Sequence, residues 1–162
     1  MHKQLSPHAA TAHAIRQELK KAFPATKFSV TSSSYSGGDS VVVNWQNGPT
    51  YKDVDSVVDK YQYGHFNCME DIYENSNNRT DIPQVKFVQT RREITQDTLA
   101  QVFAWLQETH AHFDCVSTID EYSNTLMEHW CAGNAWDYIH RILNKFDLTD
   151  GFDAETYIEN YA

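Results

Sequence analysis

The densest set of chemically capable side chains in this chain is His110-Ala111-His112-Phe113-Asp114-Cys115, with two imidazoles, a carboxylate and a thiol in six positions. Each is an acceptable zinc ligand by type, but the spacing matches no standard zinc pattern. On a helix the two imidazoles would diverge by about 200°, so one face cannot present both. A thiolate–imidazole nucleophile built from Cys115 or Cys131 with His110, His129 or His140 is chemically conceivable. Eight histidines and three cysteines make such neighbours an expected accident. The turn Ser36-Gly37-Gly38-Asp39 offers backbone N–H groups to an anion, yet it lacks the lysine of a P-loop and any GxGxxG pattern. Asp39 is an acid or base by type, but tight hairpin turns call for the same residues. Trp105, Trp130, Trp136 and Tyr138 resemble base-stacking platforms. They lie in the most acidic part of the chain, where core packing or a protein interface is the better account. The expectation is a non-enzymatic protein with no metal and no cofactor.

Charge says more than catalytic chemistry does. Residues 1–30 hold five basic side chains against Glu18, net +4; residues 31–94 hold six against nine acids, net −3; residues 95–162 hold Arg141 and Lys145 against twelve acids, net −10. Such a field repels nucleic acid and attracts basic partners. The carboxylates that would present this surface are Asp97, Glu108, Asp120, Glu121, Glu128, Asp137, Asp147, Asp150, Asp153, Glu155 and Glu159. The opposite sign is concentrated in Arg16, Lys20, Lys21 and Lys27, a modest phosphate footprint.

At 162 residues the chain can bury a core without disulfide or metal staples. Three cysteines, Cys68, Cys115 and Cys131, suit free thiols in a reducing compartment. No apolar run approaches the ~18 residues of a spanning segment, and the first residues lack a secretory pattern. A cytoplasmic location, with no membrane partner, is expected.

These side chains must be positioned by recognisable elements. Ser6-Pro7 is a helix start, and Ile15, Leu19, Ala22 and Phe23 share a face before Pro24 ends the helix. Phe28 and Val30, then Val41, Val43 and Trp45, alternate as two strands around the glycine turn, an antiparallel ribbon. Its hydroxyl-rich side, with Tyr35, Ser36 and Asp39, is a candidate contact face. Asn47-Gly48-Pro49-Thr50 turns into a second helix carrying Val54, Val57, Val58 and Tyr61 and closed by Gly64. Phe66, Met69, Ile72 and Tyr73 read as a packed turn or short helix, followed by the polar loop 75–81. Val85 to Gln89 alternates as a third strand. Thr95 opens a long helix with Leu99, Val102, Phe103 and Leu106 inward, ending near Phe113. Helical segments follow, carrying Ile119, Tyr122, Leu126 and Trp130, then Trp136, Ile139, Ile142, Leu143 and Phe146. The fold class is α+β: a three-stranded, mostly antiparallel sheet packed by helices, over residues 1–95, with an acidic helical extension over 96–162.

The run KFSVTSSSYSGGDSVVVNWQNGP from Lys27 to Pro49, the element Gly64-x-Phe66-x-x-Met69-x-Asp71-x-Tyr73 and the strand end Arg92-Glu93-Ile94 together resemble one family, the twenty-ninth of the large polyvalent protein-associated domains. The resemblance covers roughly residues 12 to 95 and rests chiefly on the SxSYSGGDSxxVxW string. It implies an α+β module of phage, plasmid and conjugative-element proteins, often within very large proteins that accompany transferred DNA, and it carries no catalytic residues. The chain departs from that setting in being short, with a tryptophan-rich acidic extension. The functional expectation is a mobile-element protein that binds and inhibits a host defence protein or nuclease complex, of anti-CRISPR or anti-restriction type, through a DNA-mimicking acidic surface. A second copy of the chain is a further expected partner. The alternative is a nucleic-acid-associated module that contacts transferred DNA through the first helix and the ribbon.

Overall fold

A computed structural model describes residues 5–109 and 135–156. The chain divides into two compact units, Met1–Glu93 and Ile94–Ala162.

In the first unit, α1 (Pro7–Ala22) begins with proline at N1. Ser6 occupies the N-cap position, but its hydroxyl leaves the helix N–H groups alone and bonds His8 Nε2 at 3.0 Å. Ala12, Ile15 and Leu19 are buried, whereas Ala22, expected inward, is exposed at the last turn. Strands β1 (Phe28–Tyr35) and β2 (Gly38–Gln46) pair antiparallel in the expected ribbon. Val30, Val41, Val43 and Trp45 are buried and Phe28 half-buried, as their period-two alternation requires.

Asn47 and Gly48 both take positive φ, 49° and 57°, and swing the chain from β2 toward α2 (Tyr51–Val58). A Cβ on Gly48 would come within 2.8 Å of Thr26 Cγ2, so the position needs glycine twice over. Thr50 and Asp53 form a reciprocal capping box at the start of α2. The helix is shorter than expected: it tightens into a 3₁₀ turn at Asp59–Tyr61 and the chain is extended by Gln62. Burial of Val54, Val58 and Tyr61 is as expected.

The stretch read as a packed turn or short helix is instead a two-stranded antiparallel ribbon, β3 (His65–Asn67) with β4 (Ile72–Glu74). Phe66, Met69, Ile72 and Tyr73 recur at helix-like spacing, but the backbone at Gly64 lies so close to Glu74 that a Cβ there would fall 2.2 Å from the Glu74 carbonyl oxygen. The tail of the ribbon is pinned by Asn77, whose N–H donates to Tyr63 O at 3.0 Å.

The third sheet strand, β5, spans Phe87–Glu93 and lies parallel to β2, so the sheet is mixed with order β1-β2-β5. A parallel neighbour needs a long crossover, and residues 47–86 with α2 supply it. Side chains cover the outer edge of β5. Val88 N–H donates to Gln62 Oε1 at 2.7 Å, Arg92 N–H to Tyr51 Oη at 3.0 Å, and the Thr90 hydroxyl to Asp55 Oδ1 at 2.8 Å. At the other edge Arg16 Nη2 donates to the Val30 carbonyl at 2.7 Å. Both edges are thus partly blunted against pairing with another chain.

In the second unit, α3 (Gln96–Thr109) buries Leu99, Val102, Phe103 and Leu106, and α4 (Ala135–Leu143) with the following turn buries Ile139, Ile142, Leu143, Phe146 and Leu148 in one cluster. The expected helix end near Phe113 and the segment with Ile119, Tyr122, Leu126 and Trp130 lie outside the described residues, as do the side chains of Trp136 and Tyr138. Among the described residues no helix is long and apolar enough to cross a membrane.

Candidate functional site

Alternation divides the β1-β2-β5 sheet into two faces. Val30, Val43 and Thr90 share the face packed by α1 and α2, as do Val41 with Val88 and Trp45 with Arg92. On the other face the register makes cross-strand rows: Ser29, Asn44 and Arg91; Thr31, Val42 and Gln89; Ser33, Ser40 and Phe87. Gln46 beside Glu93 closes one end and Tyr35 beside Gly38 the other. Ser29, Thr31, Ser33, Tyr35, Gln46, Gln89, Arg91 and Glu93 are exposed on it. Side-chain bonds run across this surface: Ser33 Oγ to Ser40 Oγ at 2.9 Å, Gln46 Nε2 to Glu93 Oε2 at 3.4 Å, Arg91 Nη2 to Gln89 Oε1 at 3.5 Å. The last two are long and exposed, so they yield readily to a ligand. At the Gln46 end a hollow of about 420 Å³ is lined by Lys27, Ser29, Asn44, Gln46 and Glu93, among others.

At the other end the glycine turn is clamped to the start of β5. Asp39 Oδ1 accepts the Lys86 N–H at 2.9 Å, and Lys86 Nζ donates to the Gly37 carbonyl at 2.9 Å. Asp39 therefore spends its carboxylate on architecture, and the phosphate-cradle reading of this turn is displaced by Lys86, which occupies the space beside Gly38. Tyr73 stands edge-on to Tyr63 and Phe87, with ring centroids 5.8 and 5.4 Å away, and Lys86 Nζ lies 5.0 Å from its centre. Burial, more than the nearby Asp39 and Tyr35, pushes the Tyr63 hydroxyl up, and burial likewise raises Tyr73.

The remaining expected contact residues are distributed as follows. Tyr35 and Ser36 are exposed at the ribbon tip, and Lys20, Lys21 and Lys27 are exposed. Arg16 is committed to Val30. Of the acidic set, Asp97, Glu108, Asp147, Asp150, Asp153 and Glu155 are exposed in the second unit. Asp147 accepts from the N–H and hydroxyl of Thr149. Asp153 accepts from Thr156 and the Glu155 N–H, which lowers its pKa, the Thr156 hydroxyl chiefly. Asp120, Glu121, Glu128 and Glu159 lie outside the described residues, as does the Asp137 side chain. So do His110, His112, Asp114, Cys115, His129 and Cys131. Cys68 is a free, exposed thiol, and no group of three metal-ligating side chains occurs among the described residues.

Two features escaped sequence reasoning. One is the carboxamide and cation set Asn44, Gln46, Gln89 and Arg91, whose period-two polar positions were a usable signal. The other is the β3–β4 ribbon, where Met69 is 94% exposed, Phe66 49% and Ile72 47%, beside exposed Glu70 and Asp71. These apolar side chains, read as packed, point to solvent because a three-residue strand pair has no second layer to cover both faces.

Residues 6–123 match the sequence model of Large polyvalent protein associated domain 29. The chain belongs to this family. The match continues past residue 95, where the recognisable motifs stop, and includes all of α3. The family is linked to mobile-element or phage-type proteins. No curated protein and no solved structure matches the chain.

The geometry explains the motif that identified the family. Trp45 Nε1 donates to Pro49 O at 3.0 Å, and Arg92, only 8% exposed, donates from Nε to Asn47 O and from Nη2 to Gly48 O, each at 2.7 Å. Asp39 with Lys86 at one end of the sheet, and Trp45, Asn47, Gly48 and Arg92 at the other, thus form two clamps that hold turns onto strands.

Proposed function

We propose that this protein is a non-enzymatic binding protein of a mobile genetic element, of anti-CRISPR or anti-restriction type, whose acidic second unit occupies the nucleic-acid-binding surface of a host defence protein. The observation that carries this reading is the coincidence of charge boundary and unit boundary. Met1–Glu93 holds eleven basic against ten acidic side chains, net +1, while Ile94–Ala162 holds two against twelve, net −10. Solubility alone does not call for such segregation, and a field of one sign draws a basic partner quickly to the unit that carries it. The exposed apolar side chains Phe66, Met69 and Ile72 support a protein partner as well, since such patches are costly to leave in water. Expression with a restriction or CRISPR system should protect incoming phage DNA in plating assays and co-purify a nuclease component. Loss of neither plating restriction nor nuclease activity would overturn the reading.

A second reading is favoured by the open sheet face: a nucleic-acid-associated module that travels with transferred DNA, using β1, β2, β5 and the cations of α1. Gel shifts separate the two, because the first expects no DNA binding at any salt and the second expects binding that weakens as salt rises.

A further inference from the structure

The open sheet face has a chemistry that narrows what it could hold. Asn44, Gln46 and Gln89 each present an amide donor and acceptor side by side, the complement of an unpaired base edge. Ser29, Thr31 and Ser33 form a hydroxyl row, Lys27 and Arg91 supply two cations, and Glu93 is the single carboxylate pointing from this face. From Ser29 the row runs about 20 Å along β1 to the exposed ring of Tyr35.

We propose that this face is a platform for single-stranded nucleic acid, with one base seated in the hollow between Lys27 and Glu93. The inference rests on the second reading and deepens it. A volume of about 420 Å³ accommodates a base with its sugar. In that hollow, Asn44 and Gln46 read the base edge, Glu93 accepts from an exocyclic amino group, and Lys27 meets the adjoining phosphate. Tyr35 stacks a further base at the far end. A base can be seated in the hollow only when it is unpaired and unstacked, which makes a single strand the preferred ligand over a duplex. Charge excludes the second unit as the binding surface, since its net −10 repels phosphate.

The test uses the full chain and fluorescein-labelled oligothymidylate, mixed-sequence single-stranded DNA, and the matching duplex, followed by anisotropy over a range of salt. Single strands should bind about tenfold or more tighter than duplex. Two phosphate contacts give a logarithmic salt slope of about −1.4, which the Lys27→Glu, Arg91→Glu pair should abolish. Gln46→Ala with Gln89→Ala should weaken binding about tenfold while leaving that slope unchanged. All four side chains are exposed, and unchanged circular dichroism confirms that the variants fold. Equal or tighter duplex binding, lost on Lys20→Glu with Lys21→Glu and indifferent to the face variants, overturns the platform and leaves the broader nucleic-acid reading standing. Absence of binding to any of these probes overturns both.

Discussion

Replacing Arg92 by methionine removes the cation that ties the end of β5 to the turn between β2 and α2. Its Nε and Nη2 each donate to a backbone carbonyl at 2.7 Å, those of Asn47 and Gly48. Bonds to a charged donor are worth about 1.5–3 kcal/mol each, so the pair contributes about 3–6 kcal/mol. Methionine fills much of the volume and no longer buries a charge, which returns part of that. A net loss of about 2–3 kcal/mol follows, on a total stability of about 5–15 kcal/mol for a domain of this kind. With a urea slope of about 1–3 kcal/mol per molar, the unfolding midpoint should drop by ~1 M. Tryptophan fluorescence follows the transition, and with Trp105, Trp130 and Trp136 replaced by Phe it reports on the clamp through Trp45, whose indole N–H is held by Pro49 in the same turn. Arg92→Lys should recover less than half the loss, since an ammonium on a flexible stem cannot serve two carbonyls with the geometry of a guanidinium fork. A midpoint within about 0.2 M of wild type for Arg92→Met would refute the clamp as a source of stability.

Asp39→Ala should cost about 1–2 kcal/mol by orphaning the Lys86 N–H, while Asp39→Asn, whose amide oxygen still accepts, should keep most of that stability; equal losses in thermal melts would contradict the architectural role. In Gly64→Ala the new methyl meets the Glu74 carbonyl, so the β3–β4 ribbon should be destabilised by about 2 kcal/mol or more and the Asn77 amide should exchange faster; unchanged protection there counts against the close approach. Burial first, and then the charge of Glu18, push the Tyr61 hydroxyl up to about 12 from 10. Between those values the unfolded chain releases a proton that the folded chain keeps, so stability falls as pH rises, by up to about 2–3 kcal/mol. Tyr61→Phe should flatten that fall, leaving the smaller slope due to Tyr63 and Tyr73, and urea midpoints across this range with an unchanged slope would show that Tyr61 is not its source.

Local periodicity carries its own burial pattern, and where that suffices the sequence was enough. Ile15 and Leu19, Val41, Val43 and Trp45, and Leu99, Val102, Phe103 and Leu106 went to the interior because spacing alone puts each set on one face of its element. The charge division at the unit boundary was equally legible, being a count. Spacing misled at Phe66, Met69, Ile72 and Tyr73, where a helix-like recurrence lies on two short strands and the turn between them, because the close approach of Gly64 to Glu74 is a contact between chain positions ten apart. The parallel arrival of β5, the clamp between Arg92 and the Asn47-Gly48 turn, and the engagement of Asp39 by Lys86 all join residues more than forty positions apart. No window of the sequence contains both partners of such a contact. Residue types announced that Asp39 and Arg92 had work to do; only the folded chain decided that the work was holding turns onto strands, and that the polar positions left over would line up as one open face.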